Sequence, residues 1–211
     1  MNLKNKLMKT LVVIDVQNDF MPGGPLEVAH GDAIIPIINK VQGSFDLVVA
    51  TQDWHPKNHT SFASSHLNKK PFDKIVLHGL QQVLWPDHCI QGSSGAELHH
   101  DLESDRFAAI FRKGMNIEVD SYSGFYDNNH QLSTGLSGYL KDKGISDVYF
   151  CGLAADICVY YSMLDSILEG FSATLIEDAS RPLYPDKFDD IKCELAKQGV
   201  RIIKSNEFRT N

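Results

Sequence analysis

No stretch of the 211-residue chain reaches the roughly 18 uncharged apolar residues that a membrane-spanning helix requires. Positive charge is also in short supply, with 20 basic residues against 27 acidic ones and a formal net charge of −7. The basic footprint that phosphate backbones and anionic lipid surfaces attract is missing, so no nucleic-acid or membrane partner is expected. Cysteine is sparse: Cys89, Cys151, Cys158 and Cys193 are widely spaced and form no CxxC pair. That excludes the dense framework of a small secreted disulfide domain and suits reduced thiols in the cytoplasm. The lysine-bearing start MNLKNKLMK leads through Thr10 into LVVI, only four apolar residues before Asp15, too short for the core of a secretory signal. No repeat, low-complexity tract or Pro/Gly-rich linker divides the chain, so one domain over 1–211 is expected, and 43% hydrophobic residues can fill its core.

What the chain does contain is alternation. Short apolar runs rich in β-branched residues recur at Thr10 to Ile14, Leu47 to Ala50, Phe107 to Phe111, Val148 to Cys151, Ala173 to Ile176 and Val200 to Ile203. Such runs suit strands buried on both faces. Helix-like segments lie between several of them, opened by Asp32, by Ser133 or Thr134, near Asp156, and by Pro185 or Asp186, and ending on Gly43, Gly144, Gly170 and Gly199. The pattern predicts an α/β fold, three layers α/β/α around a six-stranded parallel sheet. From Gln52 to about Arg106 the alternation stops, with no long helix and no clear strand expected. A connection that long is usually functional, and this one holds seven of the nine histidines and both tryptophans.

In open α/β sheets ligands bind beyond the carboxyl ends of the strands. The polar residues there are Asp15, the run Thr51-Gln52-Asp53, Arg112-Lys113, and Gly152 followed by LAADIC. An acid, a lysine and a cysteine would thus converge on one edge. A thiol becomes nucleophilic when deprotonated, which a nearby cation or a helix N-terminus favours. Lys113 would supply the cation, Asp15 could carry the proton, and backbone N–H groups at the helix start could hold an oxyanion. Taken singly, Cys158 fits a packed thiol, Asp15 a cap and Lys113 a solvated strand end. A second cluster joins Asp53 and His55, two apart and so on one side of an extended segment, to His88 in WPDHC. One carboxylate and two imidazoles with open positions suit Zn, Fe or Mn rather than a closed structural zinc site, although each histidine alone is also an ordinary loop residue. A third set, Phe20, Trp54, Trp85, Tyr122, Phe125 and Tyr126, offers flat side chains for a planar ligand or for the core.

Taken together, LVVIDVQNDFMPGGPLEV (11–28), ATQDWHPKNHTSF (50–62), LWPDHCIQGSSGAELH (84–99), FRKG (111–114), DSYSGFYDN (120–128) and GLAADICV (152–159) resemble the nicotinamidase family, within the wider isochorismatase-like cysteine hydrolases. The resemblance covers nearly the whole chain. It implies hydrolysis of nicotinamide, and of pyrazinamide, through a cysteine thioester, within NAD salvage. Asp15, Lys113 and Cys158 match the catalytic triad, and Asp53, His55 and His88 match the ligands of one divalent ion, Zn, Fe or Mn, that orients the pyridine ring. Phe20, Trp85 and Tyr122 match pocket residues, and Ala155 stands where the family often carries a hydroxyl or aromatic group. A cis peptide is implied at Leu153-Ala154, with the N–H groups of Ala154 and Cys158 forming the oxyanion hole. His59, Ser61 and His66 are further candidates for the metal shell. The implied partner is the small molecule nicotinamide, with assembly into a homo-oligomer left open. The rival readings are a related cysteine amidohydrolase acting on another small amide or carbamoyl substrate, a hydrolase whose nucleophile is metal-bound water, and a non-enzymatic binding domain.

Overall fold

The computed structural model describes residues 8–208, so most of the lysine-bearing start lies outside the described residues. Six strands form one parallel sheet: β1 (Lys9–Ile14), β2 (Leu47–Asp53), β5 (Phe107–Lys113), β6 (Asp147–Leu153), β7 (Ser172–Arg181) and β8 (Arg201–Ile203). Their order across the sheet is β5-β2-β1-β6-β7-β8. All six apolar runs became these strands, and several extend by a few polar residues at their carboxyl ends. That extension is what pairs Asp53 with Lys113 and Ile14 with Gly152 in register.

Alternate residues of β1 feed opposite cores, because successive side chains of a strand point to opposite faces. Leu11 and Val13 pack with Ile34, Ile38 and Val41 around α1 (Ile35–Gln42). Val12 and Ile14 pack with Leu136 and Leu140 of α2 (Leu136–Asp142), Val159 and Met163 of α3 (Cys158–Leu168) and Phe188 and Leu195 of α4 (Phe188–Lys197). The result is the expected three layers.

Two expectations change. The helices do not use the acidic caps read from the sequence, and no side chain caps α1, α3 or α4, whereas the Thr134 hydroxyl accepts the N–H of Leu136, the first residue of α2, at 3.2 Å. Asp32 sits in a 3-10 turn before α1, and the Asp156 carboxylate instead accepts the N–H groups of Leu183 and Tyr184 at 2.8 Å each. The long histidine-rich stretch also contains strand after all. Lys74–Leu77 (β3) and Leu80–Val83 (β4) form an antiparallel hairpin around His78 and Gly79, both at positive φ. The signal was present in KIVLHGLQQV, where a glycine-containing pair separates two short runs.

The chain leaves β1 toward β2 on one side, and β6 returns to the other side of β1. That makes the gap beyond β1 and β6 the point where strand order reverses, the expected place for a ligand. Gly152 lies here at φ +118, and a Cβ on it would meet the Ile14 carbonyl oxygen at 2.1 Å. Gly152→Ala should therefore lower the urea midpoint strongly by prying β1 from β6. Gly138→Ala, with open space around an exposed helical position, should be neutral or stabilise by about 0.5–1 kcal/mol.

Candidate active site

The strand ends bring Lys113 to the centre of a buried cluster. Its Nζ lies 2.9 Å from Asp15 Oδ2, 3.0 Å from Asp53 Oδ1, 2.9 Å from the Ser121 carbonyl oxygen and 3.6 Å from Cys158 Sγ. An ammonium has three N–H donors, so these four acceptors share them. Lys113 is therefore not a solvated strand end; its side chain is wholly buried, as is that of Asp15. Asp15 takes a left-handed backbone conformation at φ 47, and its carboxylate accepts the Thr51 hydroxyl at 2.6 Å. Cys158 is the first residue of α3, where the helix dipole favours negative charge.

Burial works against the charge on Lys113, but the Asp15 and Asp53 carboxylates outweigh it and hold the ammonium well above its usual range. Burial raises Asp15 despite the lysine beside it. Burial likewise pushes the Cys158 thiol well up, with Lys113 pulling the other way and Asp15 and Asp53 adding to the rise. This corrects the expectation of a depressed thiol: the resting sulfur keeps its proton, next to a carboxylate able to take it.

On the other side of Lys113, Asp53 Oδ2 faces His55 Nε2 at 3.0 Å and His88 Nε2 at 3.5 Å. His55 Nδ1 lies 3.0 Å from the Gly114 carbonyl and His88 Nδ1 lies 2.8 Å from the Pro86 carbonyl. A carbonyl only accepts, so each ring carries a proton at Nδ1 and presents Nε2 to the carboxylate, as a donor when the ring is protonated and as a possible ligand atom when it is not. Three buried electron-pair donors converging in this way fit a divalent cation. Burial opposes the charge of Asp53, yet His55 and Lys113 hold its carboxyl well below the usual range, ready as a ligand.

A cavity opens onto both groups. Its wall includes Phe20, Asp53, Trp85, His88, Tyr122 and Cys158. Leu153-Ala154 is cis. The N–H groups of Ala155 and Ile157 are taken by the Arg181 and Ala154 carbonyls. Those of Ala154 and Cys158 have no acceptor among the described residues.

Other expected residues lie elsewhere. Ala155 is fully buried in the core under α3 and does not line the cavity. Trp54 lies under the Arg112 guanidinium, 3.9 Å away, Phe125 is core, and the Tyr126 hydroxyl donates to Glu169. His66 bonds the Thr60 carbonyl. His59 Nδ1 accepts the Ser61 N–H, so in this neutral ring Nε2 carries the proton and has no lone pair for an ion. Burial and the neighbouring His55 push His59 down to about 4.

Two residues escaped the sequence reading. Gln17 is fully buried, and its carboxamide accepts the Asp53 N–H and donates to the Asp53 carbonyl, both at 2.8 Å, gripping the Asp53 backbone. Asp120 lines the cavity and accepts hydrogen bonds from Trp85 and Gln82. Both lie inside the quoted motifs, but nothing in spacing separates them from ordinary polar neighbours.

The isochorismatase domain matches residues 9–207. The nicotinamidase of Acinetobacter baylyi is 50% identical over 173 residues, covering 82% of this chain and 81% of the relative. Among solved structures, the Acinetobacter baumanii nicotinamidase/pyrazinamidase superposes with a TM-score of 0.93 at 46% identity, covering 98% of this chain and all of the other. The Pyrococcus horikoshii pyrazinamidase in complex with zinc gives 0.77 at 35%, covering 93% and 99%.

Two outcomes are expected from this geometry. Iodoacetamide at neutral pH should label exposed Cys193 well before Cys158, with Cys158 labelling accelerating as pH rises, read by peptide mass spectrometry. Gln17→Leu should weaken zinc uptake by about 10–100-fold in chelator competition, as loss of support around a ligand does.

Proposed function

This chain belongs to the isochorismatase domain family, and we infer that it hydrolyses nicotinamide to nicotinate and ammonia. It is an amidohydrolase acting on a C–N bond. The observation that carries the assignment of residues is the Lys113 ammonium, which touches the nucleophile, the base and the carboxylate of the ion site at once. The whole chain, 1–211, acts as one catalytic domain in the cytoplasm, and its product serves NAD salvage.

The substrate ring enters between Phe20, Trp85, Tyr122 and His88, with its carboxamide carbon toward Cys158. Asp53, His55 and His88 would hold one divalent ion, Zn, Fe or Mn, which supplies a Lewis-acid contact for the pyridine nitrogen, directly or through water. Asp15 accepts the Cys158 proton as the sulfur attacks the carbonyl carbon, and Lys113 stabilises the developing thiolate. The carbonyl electron pair moves onto oxygen, where the free N–H groups of Ala154 and Cys158 receive it. When that pair returns, the C–N bond breaks and Asp15 gives its proton to the departing nitrogen, releasing ammonia. Asp15, again a carboxylate, draws a proton from water as the oxygen adds to the thioester; nicotinate leaves and the thiol is restored. A raised Asp15 suits this work, because the same group must both take and return a proton near neutrality.

Ammonia release from nicotinamide should be strong, fall on dialysis against a chelator, and return with Zn, Fe or Mn; a flat response to nicotinamide in the reloaded protein would sink the reading. Cys158→Ala should lower turnover by about 10³-fold or more and abolish the acyl adduct seen by mass spectrometry, whereas a water-nucleophile mechanism would retain turnover. The acid limb of kcat/KM should lie above the ordinary carboxylate value of about 4, with activity lost as pH falls through it, because protonated Asp15 cannot accept the thiol proton.

A further inference from the structure

We propose that Asp120 is a positioning residue that fixes the Trp85 indole against the substrate ring and so sets the width of the cavity; the role rests on the nicotinamide reading above. Asp120 is only 5% exposed, yet among the described residues no lysine or arginine pairs with it. A buried carboxylate is costly unless hydrogen bonds replace its water. Here the replacements are neutral N–H donors. Oδ1 accepts the Ser121 backbone N–H at 2.8 Å, and Oδ2 accepts Gln82 Nε2 at 2.9 Å and Trp85 Nε1 at 3.2 Å. The Gln82 amide also meets the Val83 carbonyl at 2.7 Å, with the Tyr122 hydroxyl farther off at 3.2 Å. His59 and His55 lie nearby, their ring nitrogens and an Asp120 oxygen all within 4.8 Å of one another.

The donors come from three segments: strand β4, the loop after β4 and the loop after β5. The Trp85 backbone is held independently, its N–H by the Ser61 carbonyl and its carbonyl by the Ala63 N–H, both at 2.8 Å. Removing Asp120 therefore frees the indole ring without freeing the chain that carries it. The ring also meets Tyr122 edge-on at 6.1 Å, so a swing of the indole would shift the neighbouring wall too. Reaction at Cys158 does not pass through Asp120, so its loss should appear in substrate binding.

The test compares Asp120→Ala and Asp120→Asn with the natural protein, all loaded with zinc. Asp120→Ala should raise KM for nicotinamide about 10-fold with a much smaller change in kcat, as loss of a hydrogen bond to a charged acceptor predicts. Asp120→Asn keeps an oxygen that can accept the indole N–H and should recover most of the loss. The chain has two tryptophans, and acrylamide quenching of their fluorescence should increase in Asp120→Ala and stay near the natural level in Asp120→Asn. If the alanine variant does not fold, Trp85→Phe, which keeps a ring but lacks the N–H, should show the same rise in KM. An unchanged KM and unchanged quenching would overturn the proposal. So would equal loss of zinc from both Asp120 variants by elemental analysis, which would assign Asp120 to the ion site instead. If the natural protein does not hydrolyse nicotinamide, the functional reading fails, while the quenching comparison still decides whether Asp120 holds Trp85.

Discussion

The structure depends on one buried ammonium. Lys113 sits where four acceptors meet: carboxylates from the ends of β1 and β2, a carbonyl after β5 and the sulfur that opens α3. Two anions so close together in a dry interior would repel each other, and only the cation between them makes the arrangement tolerable. Removing one member of such a group strands the rest and commonly costs about 3–5 kcal/mol. The cluster is therefore a constraint on the fold as well as a chemical device.

Its electrostatics also decide how the sulfur can be used. A lysine near a cysteine suggests a standing thiolate, but burial and two carboxylates push the other way. Sulfur, carboxylate and cation are instead held within reach of one another. Asp53 spans the two halves of the site. One oxygen meets Lys113, the other faces His55 and His88, and Gln17 grips its backbone from β1's continuation. The same short segment, Asp15 to Gln17, thus positions both the Asp15 and the Asp53 carboxylates.

Much of this was legible before any coordinates. Continuous apolar runs reveal strands covered on both faces, and residues just past such runs are the ones a parallel sheet delivers to a ligand. That rule put Asp15, Thr51-Gln52-Asp53, Arg112-Lys113 and the turn leading to Cys158 on one edge, and the family resemblance singled out individual residues among them. The hairpin at 74–83 was passed over because four-residue strands carry little periodic signal, and its His-Gly turn lacks the asparagine or aspartate that usually marks one. The cap expected of Asp156 failed for a different reason: tertiary contacts with the Leu183 and Tyr184 N–H groups claimed its carboxylate first. Ala155 was placed by the family resemblance, but it is buried with Val159 and Met163 in the core beneath α3 and is not on the cavity wall.

Order along the chain determined the parallel α/β sheet, the edge on which chemistry would gather and the residue types available there, because hydrophobic period and strand-end position are local properties. Tertiary structure alone decided which of those residues act together. The charge on Lys113, the proton on Cys158, the tautomers that aim His55 and His88, and the grip of Asp120 on Trp85 depend on distances between segments far apart in sequence. They depend equally on exclusion of water, which no pattern of neighbouring residues encodes.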